Sequence, residues 1–293
     1  MKFLIKIITV HILLFASSGL FAQLVEVQAN YNSVGDVDFI AYNNSQAPLF
    51  LNIDFADLEN TTFNETLPYV KLVVPGFNSL FTLQREPGAE APRFNYQIKY
   101  YRSNPFAIPD LDFPYLIPLE PGSSATVFDV KSISGFWGSE EPESWVATGF
   151  NVTPGQTIYS SRNGMVVEVT GQSRSGNPQS WYHTWDNTIT VLQPDGTLIC
   201  YHGVEDRSKQ LKPGQKIFAG EPIGTVVADE STLILMIWQN RVNSKELIFI
   251  IPRFVTVTDK TEILFSSGEY KVIHPLSVRA LEMTKREQRR YLR

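Results

Sequence analysis

Hydrophobic and polar positions alternate in short segments along most of the chain. Val25–Tyr31, Asp38–Tyr42, Leu49–Phe55, Val70–Val74, Ser79–Leu83 and Phe94–Tyr101 are rich in β-branched and aromatic residues, which suit a pleated, half-buried surface. Asn-, Gly- and Pro-rich breaks separate them, such as Tyr42-Asn43-Asn44-Ser45 and Pro87-Gly88. Short strands at this spacing predict a β-sandwich. Residues 23–110 therefore read as one immunoglobulin-like module, whose default role is binding or spacing. The Pro-rich stretch Ser103–Pro121 reads as a linker, and residues 111–277 as a second β-rich module. Helical periodicity is nearly absent before residues 278–293, where Thr284 followed by Glu287 forms a capping-box pattern and predicts a short helix. The predicted class is all-β with a short C-terminal helix.

Glycine punctuates two stretches of the second module, Pro154–Val169 and Leu211–Val226. At such points a strand turns tightly or takes a positive φ. Between them, Gln193-Pro194-Asp195-Gly196-Thr197 is a hairpin-turn signal joining Thr188–Leu192 to Leu198–Tyr201. Leu233–Trp238 is an unbroken apolar run and predicts a packed core strand.

The two ends carry different signals. Lys2 and Lys6 precede the apolar run Ile7–Phe15, which is short for a bilayer span, and the small residues Ser17, Ser18, Gly19 and Ala22 come after it. This pattern predicts a signal peptide over residues 1–22, cleaved after Ala22. The expected product is an exported protein, periplasmic or secreted, with no transmembrane segment after cleavage. At the other end, Arg279–Arg293 holds six basic residues against Glu282 and Glu287. The plain expectation is a solvated, partly frayed tail. The sharper one is attraction to acidic lipid or to the chain's own acidic surface.

Composition then narrows the chemistry. The 293 residues are 43% hydrophobic and 19% charged, with a net charge of -5, which argues against a broad nucleic-acid surface. One Cys excludes an internal disulfide and any Cys-built zinc or iron–sulfur site. With four His in the chain, a metal site has to draw on those and on carboxylates.

The motifs of the second module resemble those of the LytM/lysostaphin-type zinc endopeptidases, which cut peptide cross-links in bacterial cell walls. The match runs from Tyr115 to Trp238. A turn at Gly155–Ile158 and an Asn-Gly at Asn163-Gly164 precede the Asp-Gly-Thr hairpin at Asp195–Thr197. A Tyr-x-His-like element (Cys200, Tyr201, His202) and the spaced glycines Gly214, Gly220 and Gly224 complete the order. Tyr115–Pro118 looks like an entry strand. The resemblance implies a compact LytM-like β-sandwich (a duplicated hybrid motif) with a groove along one sheet. It also implies a zinc ion held by an early His and Asp and by one His of a late His-x-His.

Those ligands are missing from the matching positions. The early Asp aligns with Gly149, and the early His with Trp145 or, at a longer spacing, Glu140. The late His-x-His aligns with Thr232-Leu233-Ile234. Zinc takes about three protein ligands with N, O or S donors, and none stands here. His202 alone remains in register, at the position of an accessory catalytic His. No metal, no cofactor and no catalytic residue are expected, with His202 as a remnant.

A new metal site would have to use His183, Asp186, Asp195 and His202. His183 reads more simply as an exposed loop residue and His274 as structural. Cys200 and His202 stand at i and i+2 on one strand, facing the same side, but no third group orients them. Trp137, Trp145, Trp181, Tyr182 and Trp185 cluster around the implied groove. Trp145, Trp181, Trp185 and His202 are the candidate binding residues. Trp145 reads as filler for a vacated site, while Trp181 and Trp185 stay open between filler and binding platform. Three functions remain. One is a non-catalytic envelope protein that binds wall peptide or a protein partner, in one form regulating a wall hydrolase. The others are a metalloendopeptidase with an atypical metal site and a structural envelope protein.

Overall fold

The computed structural model describes residues 24–130, 142–171, 187–206, 210–242, 246–257, 260–264 and 266–292. The first part contains β1 (Val25–Tyr31), β2 (Val37–Asn43), β3 (Leu49–Glu59), β4 (Thr61–Thr62), β5 (Tyr69–Val73), β6 (Gly76–Arg85) and β7 (Arg93–Tyr101). One sheet runs β1-β2-β6-β4 and a second β5-β3-β7. Between them lie Val37, Phe39, Leu51, Ile53, Val73 and Leu83. Phe39 stacks on Phe81 at 4.7 Å, one of several ring contacts that fill this small sandwich.

The chain continues through β8 (Pro114–Tyr115), β9 (Ser124–Asp129), β10 (Thr148–Asn151), β11 (Thr157–Tyr159), β12 (Gly164–Thr170), β13 (Thr188–Leu192) and β14 (Leu198–His202). It ends its sheets with β15 (Val204–Glu205), β16 (Lys216–Ile217), β17 (Pro222–Val226), β18 (Thr232–Asn240), β19 (Leu247–Phe249), β20 (Arg253–Val257), β21 (Lys260–Glu262) and β22 (Glu269–Lys271). A large sheet runs β16-β12-β13-β14-β18-β10-β9-β22, with β19 also paired to β18. Smaller sheets, β11-β17-β15 and β21-β20-β8, accompany it.

Successive side chains of a strand point to opposite faces, and in β18 the two faces enter different clusters. Leu233, Leu235 and Ile237 join the main core with Phe150, Ile189, Ile199 and Phe254. Ile234, Met236 and Trp238 join a second cluster with Leu198, Cys200 and Phe249. Both faces of β18 are covered, so it reads as a continuous apolar run instead of an alternating one. The hairpin between β13 and β14 closes as its turn residues predict. Gly196 takes φ +89°, and Asp195 accepts from both the Thr197 amide and its hydroxyl.

The stretch after β7, read from the sequence as a linker, is itself held by side-chain and backbone contacts. The Ser103 hydroxyl donates to buried Asn240 at 2.8 Å, the Asn104 amide donates to the Gly196 carbonyl, and Arg102 pairs with Glu168. The segment is therefore fastened along the second module. One expectation is corrected: the tail stays largely solvent-exposed, but it is fastened to the body and not frayed. It forms α1 (Leu276–Arg279) and α2 (Lys285–Tyr291), with the Thr284–Glu287 capping box formed in full. Tyr291 packs on Phe218 at 4.3 Å, and Lys216 pairs with Glu287 at 2.6 Å. The physical reason lies at Arg162, whose side chain is 2% exposed. A buried guanidinium needs counter-charges, and the tail supplies one, Glu282, at 2.6 Å. Asp195 supplies the other at 2.6 Å. Phe113 offers its ring face at 3.7 Å.

Candidate functional site: a row across the large sheet

Cross-strand register places one residue from each of six strands in a single row. Thr170 of β12 pairs with Thr188 of β13, and Thr188 with His202 of β14. His202 pairs with Ile234 of β18, Ile234 with Gly149 of β10, and Gly149 with Phe128 of β9. Three of the positions aligned with the expected site, Gly149, Ile234 and His202, are thus brought together on neighbouring strands. With strands about 4.8 Å apart, Gly149 and His202 flank Ile234 at roughly 10 Å from each other. Thr232, the other late position, pairs with Asn151 at the strand end.

What fills the row is not ligand chemistry. A Cβ added to Gly149 would lie 2.4 Å from Cε2 of Phe128, so the Phe128 ring occupies the space an Asp side chain would need. Ile234 is 8% exposed and apolar. No group of three or more His, Cys, Asp or Glu side chains that could hold a metal ion occurs among the described residues. A zinc ion does not fit this row: Gly149 has no donor, Ile234 has none, and Phe128 covers the gap.

The next row of the same face is Glu168, Thr190, Cys200 and Met236. Burial pushes the Cys200 thiol up to about 12, against a smaller opposing effect of the Thr190 hydroxyl. Cys200 is therefore a protonated core thiol at neutral pH and no nucleophile. Further along, the N-terminal sandwich reaches this face, where Ala47 and Phe50 join the cluster of Leu198, Trp238 and Phe249. At the Thr170 end a cleft of about 920 Å³ opens, lined by Gln46, Thr170, Asn187, Asp206 and Lys212 among others.

The remaining candidates are dispersed. Trp145 is half-buried, packs edge-on to Phe249 at 4.9 Å, and donates its indole N–H to the Val130 carbonyl at 3.0 Å. Asp195 lies in the turn before β14 and His202 at that strand's far end, about 14 Å along the strand. Asp195 is moreover bound to Arg162 and Thr197. Burial raises its carboxyl, but the Thr197 hydroxyl and Arg162 outweigh this and hold it below its ordinary value. Asp195 and His202 therefore do not form one site. His274 bonds the Ile117 carbonyl at 2.8 Å and lies edge-on to Tyr159, and burial lowers its pKa. Trp137, Glu140, Trp181, Tyr182, His183, Trp185 and Asp186 lie outside the described residues. Two residues that matter escape a reading of the sequence, Phe128 and Arg162. Arg162 does carry a signal: a lone charge between Ser161 and Asn163 in a glycine-punctuated core stretch.

No known family model matches the sequence, and no curated protein matches it. Among solved structures the chain is similar to an M23 metalloprotease, pseudoalterin, from the deep sea. That likeness has 14% identity and a TM-score of 0.32, over 44% of this chain and 72% of that one. It is similar also to the catalytic domain of lysostaphin from Staphylococcus simulans, at 16% identity and a TM-score of 0.28, over 44% and 86% of the two chains. Csd3 from Helicobacter pylori is a third, at 12% identity and a TM-score of 0.32. There the likeness covers 87% of this chain and 57% of Csd3. At identities this low, the chemistry of the row is read from this chain's own side chains.

Proposed function

We propose that this chain is a non-catalytic, LytM-like protein of the bacterial envelope. It binds a wall peptide or a protein partner at the half-buried Thr170–His202 end of the row and the adjoining cleft, and one form of that role is regulation of a wall hydrolase. The observation that carries this reading is the contact of Phe128 with Gly149. The position aligned with a metal-binding Asp lacks a side chain, and the space beside it is filled by a ring. The ordered motifs from Tyr115 to Trp238 support the fold half of the reading. The cleft at Thr170, large enough for a small peptide segment, supports the binding half.

The test combines elemental analysis, wall digestion and retention. The purified protein is expected to carry no stoichiometric zinc and to leave purified wall material undigested. It should be retained on wall material or capture an envelope protein, and Thr170→Arg, which fills the cleft, should weaken that retention. Stoichiometric zinc that is lost on His202→Ala, together with wall digestion, would overturn the proposal in favour of an atypical metallopeptidase. Retention unchanged by Thr170→Arg would remove the cleft from it.

A further inference from the structure

The basic C-terminal segment, docked in this structure, has a face that the proposed binding role does not use. Both of its acids are engaged with the body of the protein. Glu282 meets the buried guanidinium of Arg162, and Glu287 meets Lys216 while also closing the capping box. Gln288 turns inward as well, donating to the Ala280 and Met283 carbonyls, and Tyr291 packs on Phe218. Arg279 of α1 also faces the body, donating to the Ala219 carbonyl at 3.2 Å, but the bases of α2 are sorted the other way. Lys285, Arg286, Arg289 and Arg290 are all exposed, and at 3.6 residues per turn they span an arc of about 140° opposite the docked side. No ion pair to a carboxylate involves these four among the described residues.

We infer that α2 is an electrostatic docking face for an anionic lipid bilayer. Charge complementarity carries the choice: four outward cations sit within two turns on a chain whose net charge is -5. Such a face attracts a negative surface even while the whole molecule is repelled by it, because the field decays within a Debye length of about 8–10 Å. A lipid surface is preferred to a soluble polyanion by the same segment's apolar residues. Leu276 of α1 is 59% exposed and Leu281, between the two helices, 40% exposed, and a headgroup interface buries such side chains whereas a hydrated polymer does not. Docking by Arg162 and Lys216 fixes the helix before binding, so its ordering is not a cost of association.

The experiment is vesicle co-sedimentation of the full chain, purified as an exporting bacterial host accumulates it. Vesicles of neutral phosphatidylcholine are compared with vesicles containing phosphatidylglycerol, at low and at high salt. The variant Lys285→Gln/Arg286→Gln/Arg289→Gln/Arg290→Gln keeps the helix formers and every docking contact named above, and its melting temperature checks the fold. Each cation near an anionic surface is worth about fivefold in partition. The fourfold variant should therefore lose roughly two to three orders of magnitude in binding to anionic vesicles at low salt, and the parent should lose most of its binding at high salt. Equal binding of parent and variant, or equal binding of the parent to neutral and anionic vesicles, would overturn the inference. So would binding to soluble polyphosphate with none to vesicles. None of these outcomes bears on retention by wall material, so the groove proposal stands or falls separately.

Discussion

Replacing Arg162 with Met is the sharpest probe of how this molecule holds together. Met keeps much of the aliphatic stem but removes the charge and the guanidinium that lies over the Phe113 ring. Two carboxylates are then left facing each other across the vacated guanidinium, Asp195 with a side chain 11% exposed and Glu282 with one 19% exposed. Breaking a buried ion pair by deleting one partner typically costs about 3–5 kcal/mol. Asp195 retains its two bonds from Thr197, and Glu282 can turn to water, which places the expected loss near the lower limit, about 3 kcal/mol. In urea, with a slope of about 3 kcal/mol per molar, the unfolding midpoint should fall by roughly 1 M. The assay is urea unfolding monitored by tryptophan fluorescence, with limited proteolysis as a second readout, because the tail loses its buried anchor and should become cleavable. Glu282→Gln should cost less, and the double variant should cost less than the sum of the two singles by more than about 0.5 kcal/mol. A midpoint shift below roughly 0.2 M, or strict additivity, would refute the claim that Arg162 fastens the tail.

The same centre sets a pH dependence. Asp195 is held below its ordinary value of 3.8: burial raises it, but the Thr197 hydroxyl and Arg162 prevail. A carboxyl depressed in the folded state stabilises fully above its unfolded value. That contribution disappears as pH falls below 3.8 toward the folded value, because the unfolded chain takes up the proton first. The parent should therefore lose stability on acidification below about pH 4, and Arg162→Met should show a flatter acid limb.

Three further changes test separate contacts. Gly149→Ala drives a methyl into the Phe128 ring, and overpacking of this kind costs about 1–3 kcal/mol. In a Phe128→Ala background it should cost under roughly 0.5 kcal/mol, as thermal melts of the four proteins would show. Tyr201→Phe removes the hydroxyl that accepts from the Ser161 amide at 2.8 Å, leaving a buried donor unpaired at about 1–3 kcal/mol. An unchanged unfolding midpoint would contradict that hydrogen bond. The Cys200 thiol, pushed up to about 12 and buried, should react with a thiol reagent at about pH 8 only after denaturant is added. Rapid labelling of the native protein would contradict the packing of the Cys200 face.

Local signals in the sequence are readable because they are local. β1 begins and ends where alternation predicts, at Val25 and Tyr31. The Asp195–Thr197 turn and the Thr284–Glu287 capping box each depend on residues close together in the chain, and both form. The fastening of the tail is not readable, because Arg162 and Glu282 are 120 residues apart. Nothing in the composition of residues 279–293 distinguishes a docked basic tail from a free one. The row across the large sheet falls between these cases. Motif alignment identifies Gly149, Ile234 and His202 as its members. It gives no sign that Phe128, from the strand on the far side of Gly149, fills the gap, because that contact depends on a rotamer and a cross-strand register.

The row also explains how fold and site can change independently. Strand alternation sends Leu233, Leu235 and Ile237 to the main core and leaves Ile234 on the opposite face with His202 and Gly149. A residue of the row can therefore change without touching the core that defines the sandwich. Burying an Ile side chain stabilises by about 1.5–3 kcal/mol, whereas an imidazole at the same point, unless it binds a metal, adds a polar group to be satisfied. On this reasoning Ile234→His lowers stability by roughly 2 kcal/mol and restores no zinc affinity, because Gly149 still offers no donor and Phe128 still covers it. Recovery of the lost stability on adding zinc, measured as a rise in melting temperature that a chelator reverses, would show that the row can still hold a metal and would undo the reading built on Phe128.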